Sequence, residues 1–215
     1  MIWIIKIGGS LQDADDLQAW LDAVIAHGAG RVVVVPGGGR FADDVREAQR
    51  RFGFDDAEAH RAAIRAMEEY ANLLRNRTPQ LVPARSREKI LAVLKDGGIP
   101  VWLPSAMVIG NPDLPESWDV TSDALALWLA QRLEARGLIL VKSLAVDELR
   151  NLDELSDDGV IDACFPDLFQ KQPVNLVFFG RKDYGKLAEL LDYGVPRPGL
   201  AEPSSVVHQP DTIGE

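Results

Sequence analysis

Two glycine-rich segments, each directly after an apolar run, have the residue types and spacing to do chemistry. The first is KIGGS at residues 6–10 and the second is PGGGR at residues 36–40. Because glycine has no Cβ atom, backbone N–H groups in such segments can surround phosphate oxygens, and a helix that starts beside them adds a favourable dipole. Lys6 lies within reach of the same oxygens as a point charge. The two segments therefore predict a site that holds a phosphoryl group during transfer.

The phosphate-binding candidates follow from these two segments. They are Gly8, Gly9, Ser10, Gly37, Gly38, Gly39 and Arg40. Neither segment matches the P-loop pattern G-x-x-x-x-G-K-[ST] or the dinucleotide pattern G-x-G-x-x-G, so both of those folds are unlikely on this pattern. The alternative for each segment is a tight turn without a ligand, because glycine turns are common.

The elements that must position these segments alternate between strand and helix. Apolar runs bounded by Gly and Pro predict buried strands at residues 2–7, 31–35, 101–103, 138–141 and 176–179. Helical patterns lie at residues 17–27, 41–77 with a break near Gly53, 86–95, 122–136 and 182–192. The alternation predicts an α/β fold, a three-layer α/β/α sandwich with a mainly parallel central sheet. Ligands of such sheets bind beyond the carboxyl ends of the strands, where both glycine segments lie.

Four motifs in their order and spacing resemble the amino acid kinase family. They are residues 4–11 (IIKIGGSL), 33–39 (VVVPGGG), 118–126 (WDVTSDALA) and 138–143 (LILVKS). The resemblance implies ATP with Mg²⁺ as cosubstrate, and a first-strand lysine, Lys6, that neutralises the transferring phosphoryl group. It also implies that Asp123 orients the catalytic lysines.

The resemblance divides one predicted domain, residues 1–195, into an acceptor half at about 1–110 and a nucleotide half at about 111–195. The remaining residues, 196–215, are rich in Pro and Ser, which is typical of a mobile or loosely docked tail rather than of a packed segment.

A helix at residues 59–67 (AHRAAIRAM) is similar to that of a short subgroup of the family. This subgroup includes a kinase of methanofuran-type cofactor synthesis, which phosphorylates an aminomethylfuran-methyl phosphate to its diphosphate. Related kinases use a histidine of the equivalent helix to touch the acceptor phosphate, so the resemblance implies that role for His60. The alternative for His60 is a histidine that is solvated or satisfied within the core.

The chain departs from the family in its nucleotide half. Many members carry a second catalytic lysine in a segment like residues 159–162 (GVID), but here Ala163 and Cys164 follow and no lysine is present. Many members also have Thr-Asp where this chain has Lys142-Ser143. Lys142 is therefore our candidate for the leaving-group lysine, with Lys171 as second choice.

Several candidates have a structural alternative. The alternative for Asp123 is a simple charge at the N-terminus of a helix, after the N-cap candidates at positions 121 and 122. Asp119 is a candidate for substrate binding, and a purely structural role is its alternative. Cys164 lacks the partner spacing of a metal ligand and is typical of a buried apolar residue, and the three histidines form no zinc motif.

Composition limits the partners. Lys plus Arg number 23 against 33 Asp plus Glu, and the net charge of −10 disfavours nucleic acid and anionic membrane surfaces as partners. A single cysteine allows no internal disulfide and fits a reducing, cytoplasmic location. The arginine-rich helical stretch at residues 61–77 is predicted to be a solvated face and a surface for a homodimer or higher homo-oligomer.

The function predicted from the sequence is an ATP-dependent small-molecule kinase that phosphorylates a phosphate monoester to a diphosphate. Two alternatives stay open at this point. One is a carboxylate or carbamate kinase of the same fold, and the other is a non-catalytic ligand-binding or storage protein on this scaffold.

Overall fold

Helices and strands alternate along the chain, as the apolar runs predict. The computed structural model describes residues 1–143, 150–194 and the strand at 206–207. In chain order the elements are β1 (Trp3–Ile7), α1 (Asp16–His27), β2 (Val32–Pro36), α2 (Gly39–Phe52), α3 (Asp56–Arg77), β3 (Leu81–Ala84), α4 (Arg87–Lys95), β4 (Ile99–Trp102), α5 (Ser105–Val108), α6 (Ser122–Arg132), β5 (Gly137–Lys142), α7 (Leu152–Asp157), α8 (Phe165–Lys171), β6 (Asn175–Gly180), α9 (Leu187–Tyr193) and β7 (Val206–Val207).

One sheet contains these strands in the order β3-β4-β2-β1-β5-β6-β7. The first six strands are parallel, and β7 pairs antiparallel to β6. The central strand β1 lies between β2 and β5, so the carboxyl ends of these three strands meet at one edge of the sheet. This arrangement confirms the predicted α/β sandwich with a mainly parallel sheet.

The hydrophobic core has two parts, one on each face of the sheet. All five residues of β1 are buried, which is typical of a strand covered on both faces. Successive side chains point to opposite faces, so Ile4 belongs to the cluster that includes most of α6, while Ile5 belongs to the cluster with α1 and α9.

Some elements differ from those predicted. The edge strand β3 was not expected, because its sequence LVPA contains Pro83, which a strand tolerates at a sheet edge. Helix α6 ends at Arg132 rather than at residue 136, since Glu134 takes a left-handed conformation with φ of 50°. Helices α7 and α8, six and seven residues long, were too short to show a helical period.

Within residues 1–143 and 150–194, no helix has the length and apolar character needed to cross a bilayer. The tail predicted at residues 196–215 lies outside the described residues, apart from the strand β7. The domain boundary at residue 195 stays a prediction.

Candidate active site

Three charged side chains meet where β1, β5 and α6 converge. Lys6 is in β1, Lys142 ends the neighbouring strand β5, and Asp123 lies in the first turn of α6. The Asp123 carboxylate bridges both ammonium groups, with Oδ1 2.8 Å from Lys6 Nζ and Oδ2 2.6 Å from Lys142 Nζ. The structure thus brings together the three residues that were predicted to be catalytic. We call Lys6, Asp123 and Lys142 the triad.

The triad is buried, and burial acts on its charges. Only 5% of Lys6 and of Asp123 is exposed. Burial alone would raise the pKa of Asp123, but the charges of Lys6 and Lys142 lower it by a larger amount. The pKa therefore falls to about 2. Burial lowers the pKa of Lys142 more than the Asp123 carboxylate raises it. Two ammonium groups share one bridging carboxylate, so an anion such as a phosphate would complete the charge balance.

Lys142 also contacts a second segment of the nucleotide half. Its ammonium donates a hydrogen bond of 2.5 Å to the carbonyl of Val160. Val160 belongs to residues 159–162, the segment in which the sequence resemblance implies the second catalytic lysine of the family. The Lys142 ammonium therefore reaches that segment from the end of β5. Lys171, the second choice, is exposed in the last turn of α8 and is not part of the triad.

The two glycine segments pack directly against each other. A Cβ atom at Gly9 would collide with the backbone of Gly39, and one at Gly37 would lie 2.5 Å from the Gly9 nitrogen. Gly39 also has a φ of +55°, which side chains rarely adopt. Gln12, which sequence reasoning missed, links the segments because its Oε1 accepts a 3.0 Å hydrogen bond from the Arg40 backbone N–H.

A cavity of about 380 Å³ lies beside these loops. Its walls come from both glycine segments, from α2 and α3, and from the residues that lead into α6. Gly9 and Ser122 line it, three residues after Lys6 and one residue before Asp123, so the cavity lies close to the start of α6, although no triad residue is part of its wall. Gly8 and Gly37 do not line it, whereas Ser10, Gly38, Gly39 and Arg40 do.

His60 forms part of the cavity wall and is 1% exposed. Among the described residues, neither of its ring nitrogens makes a hydrogen bond of standard geometry, although the Val120 backbone lies close enough to raise the pKa of the ring. Burial lowers the pKa of His60, and the nearby Glu116 only partly offsets this, so the imidazole is neutral at pH 7. A neutral imidazole with free nitrogens can donate one hydrogen bond to a ligand and accept another.

Trp118 also lines the cavity. Its indole N–H donates a 2.8 Å hydrogen bond to Gln49 Oε1, and the guanidinium of Arg46 lies 4.4 Å from its ring centroid. At the rim, exposed ion pairs join Arg40 to Asp13 at 3.3 Å and Arg46 to Asp43 at 3.2 Å. These exposed pairs are weak, so both arginines can turn toward an anionic ligand.

Asp119 is not brought to the cavity. Its exposed carboxylate accepts a 3.2 Å hydrogen bond from the Ser117 hydroxyl, and its carbonyl accepts one from the Cys164 N–H. Cys164 is half-buried, and burial raises the pKa of its thiol to about 12, so the thiol stays protonated.

Sequence reasoning also missed Asp162 as part of this site. Its carboxylate accepts hydrogen bonds from the backbone N–H groups of Thr121, at 3.0 Å, and Ala124, at 2.8 Å, and from the Thr121 hydroxyl. Burial raises the pKa of Asp162, and the Asp123 charge adds to that rise. Nothing in the spacing marks Asp162, because its partners lie about 40 residues earlier in the chain.

Comparison with known proteins decides the family. Residues 1–147 match the sequence profile of the amino acid kinase family. The chain belongs to the amino acid kinase family. This amino acid kinase is a phosphotransferase that uses ATP, which confirms the family and the enzyme class predicted from the motifs.

Three known kinases are similar to this chain over most of its length. The chain is 24% identical over 204 residues to the [5-(aminomethyl)furan-3-yl]methyl phosphate kinase of Methanocaldococcus jannaschii, covering 88% of this chain and 92% of that protein. The uridylate kinase of Archaeoglobus fulgidus superimposes with a TM-score of 0.66 at 17% identity, over 88% of this chain and 96% of that one. The isopentenyl phosphate kinase of T. acidophilum gives 0.62 at 13% identity, over 97% and 100%.

Proposed function

We propose that this kinase transfers the γ-phosphoryl group of ATP to a phosphate monoester and forms a diphosphate. The observation that carries the proposal is the cavity walled by two glycine segments and a buried, unpaired histidine beside the triad. Our specific acceptor is [5-(aminomethyl)furan-3-yl]methyl phosphate, in methanofuran-type cofactor synthesis. Support comes from the similar kinase of M. jannaschii that is named for this acceptor.

The chemistry proposed for the site needs alignment and charge neutralisation, because phosphoryl transfer has a loose transition state. Lys6 would neutralise the transferring phosphoryl group, and Lys142 would neutralise the phosphate that leaves with ADP. Asp123 forms ion pairs with both lysines and would hold them in place. Backbone amides of Gly8, Gly9 and Gly38 would hold the phosphoryl oxygens. The Gly37 N–H, which the sequence also predicted for this role, donates a 2.9 Å hydrogen bond to the Ile7 carbonyl.

The acceptor phosphate would occupy the cavity between Arg40 and His60. A phosphate monoester is already ionised near neutral pH, so no residue has to remove a proton from the attacking oxygen. His60 would then donate a hydrogen bond to the acceptor phosphate, and Arg40 would supply charge. The apolar side chains of Ile64 and Met67 line the same cavity and suit a small apolar body.

Magnesium fits this site through the nucleotide rather than through the protein. Asp123 is held by two lysines and Asp162 by the start of α6, so neither carboxylate is free to bind a metal directly. Mg²⁺ bound to the phosphates of ATP supplies further charge neutralisation. We also propose that the protein is cytoplasmic and acts as a homodimer or higher homo-oligomer.

Binding of Mg-ATP is the first testable result. A ligand at about 100 times its dissociation constant stabilises the folded state by roughly 2.7 kcal/mol. We expect millimolar Mg-ATP to raise the melting temperature by several degrees in a thermal shift assay, and AMP at the same concentration to raise it much less. The absence of a shift with Mg-ATP, alone or with acceptors, would contradict the proposed function.

The acceptor is tested by a panel assay. The purified protein is given Mg-ATP with the aminomethylfuran phosphate, isopentenyl phosphate, UMP, glutamate, aspartate, or bicarbonate with ammonia. ADP release is followed, and mass spectrometry records the gain of one phosphate. We expect turnover with a phosphate monoester. Turnover of only a carboxylate or carbamate acceptor would leave the family assignment and remove the proposed function.

A further inference from the structure

Helix α6 obtains its N-terminal cap from a distant part of the chain. Thr121 occupies the N-cap position, but its side chain makes no capping hydrogen bond to α6. The cap is instead the carboxylate of Asp162, which accepts from the Thr121 and Ala124 N–H groups and from the Thr121 hydroxyl. All three donors lie in the turn that contains Asp123, so this carboxylate fixes the backbone from which Asp123 extends.

The short segment at residues 160–162, which contains Asp162, also contacts Lys142. Val160, two residues before Asp162, accepts the 2.5 Å hydrogen bond from the Lys142 ammonium. Residues 160–162 therefore contact Lys142 directly and Asp123 through the start of α6. A movement of this segment would change the distance between Lys142 and Asp123, which is 2.6 Å.

We propose that Asp162 is a positioning residue for phosphoryl transfer: its carboxylate, capping α6, sets the distance between Asp123 and Lys142. This inference rests on the proposed function, since it assigns a geometric role within the same triad. A simple helix cap would contribute stability alone. A positioning residue also controls kcat, because small misplacements of catalytic groups slow the reaction strongly.

Two substitutions of Asp162 separate the effect of side-chain length from the effect of charge. Asp162→Asn keeps the reach, because its amide oxygen can accept from Thr121 and Ala124 while its NH₂ group donates to the Thr121 hydroxyl, which turns to accept. Asp162→Glu keeps the charge but extends the side chain by one methylene group and displaces the carboxylate. The matched control is Asp167→Asn, an exposed carboxylate in α8.

We expect Asp162→Glu to lower kcat about tenfold or more with nearly unchanged KM for ATP and acceptor, while Asp162→Asn and Asp167→Asn retain most of kcat. The melting temperature of each variant shows whether it is folded. Equal kcat for Asp162→Glu and wild type would overturn the inference, as would an Asp162→Asn variant as slow as the Glu variant.

A second readout does not depend on turnover, so it tests the inference even if the wild-type protein accepts no phosphate monoester. In a crystal structure of Asp162→Glu, we expect Lys142 Nζ and Asp123 Oδ2 to lie beyond about 4 Å, the limit of an ion pair. An unchanged ion pair in that structure would show that Asp162 does not position the triad. Absence of wild-type turnover with every phosphate monoester would instead remove the proposed function.

Discussion

Replacement of Lys6 by methionine is expected to lower kcat by about 10²–10³ while the protein stays folded. The Lys6 ammonium is buried against Asp123, and it is proposed to meet the transferring phosphoryl group. Methionine fills a similar volume without a charge. Because Lys142 still pairs with Asp123 in this variant, no carboxylate is left buried alone, and the melting temperature should stay close to that of the wild type.

The Lys6→Met measurement is a steady-state determination of kcat and KM with Mg-ATP and the phosphate monoester that turns over. Lys95→Met is the matched control, because Lys95 is exposed in the last turn of α4 and far in sequence from the site. We expect the control to retain wild-type kcat. A Lys6→Met enzyme that keeps more than about a tenth of wild-type kcat would exclude Lys6 from the mechanism.

Replacement of Lys142 by methionine has the second largest expected effect, a loss of about 10² in kcat. The Lys142 ammonium contacts Asp123 and the Val160 carbonyl, both within the proposed nucleotide half. Its proposed role is to neutralise the phosphate that leaves with ADP, so the loss should fall on kcat more than on the KM for ATP.

Lys171→Met is the control that decides between the two candidate lysines. Lys171 is exposed at the end of α8, so its substitution should leave kcat near the wild-type value. The opposite outcome, with Lys171→Met inactive and Lys142→Met active, would move the leaving-group role to Lys171.

The sequence predicted the central strands of the sheet better than its edge strand β3. Strands β1 and β2 were predictable because each is an almost wholly apolar run followed by glycine, and such runs are typical of strands buried on both faces. The triad was predictable in part, since Lys6 lies one residue before the end of β1 and Lys142 ends β5, and a charge in an apolar strand needs a partner. Strand β3 was missed because Pro83 argues against a strand in the interior of a sheet.

The residues that depend on tertiary structure could not be predicted. Asp162 caps a helix that begins about 40 residues earlier, and Gln12 binds the backbone of Arg40 in the other glycine segment. Both contacts join parts of the chain that only the folded sheet brings together. Asp119 was a candidate because it lies within the motif at residues 118–126, yet its carboxylate accepts a hydrogen bond from Ser117 and does not line the cavity.

Addition of phosphate to phosphate is visible in the ³¹P NMR spectrum of the product formed from Mg-ATP and the accepted phosphate monoester. A new P–O–P bond couples two phosphorus nuclei, so we expect a pair of doublets from the product in addition to those of ADP. The pair should be strongly reduced with the Lys6→Met enzyme over the same reaction time. A product with two uncoupled phosphorus signals, as transfer to a different group of the acceptor would give, would rule out diphosphate formation.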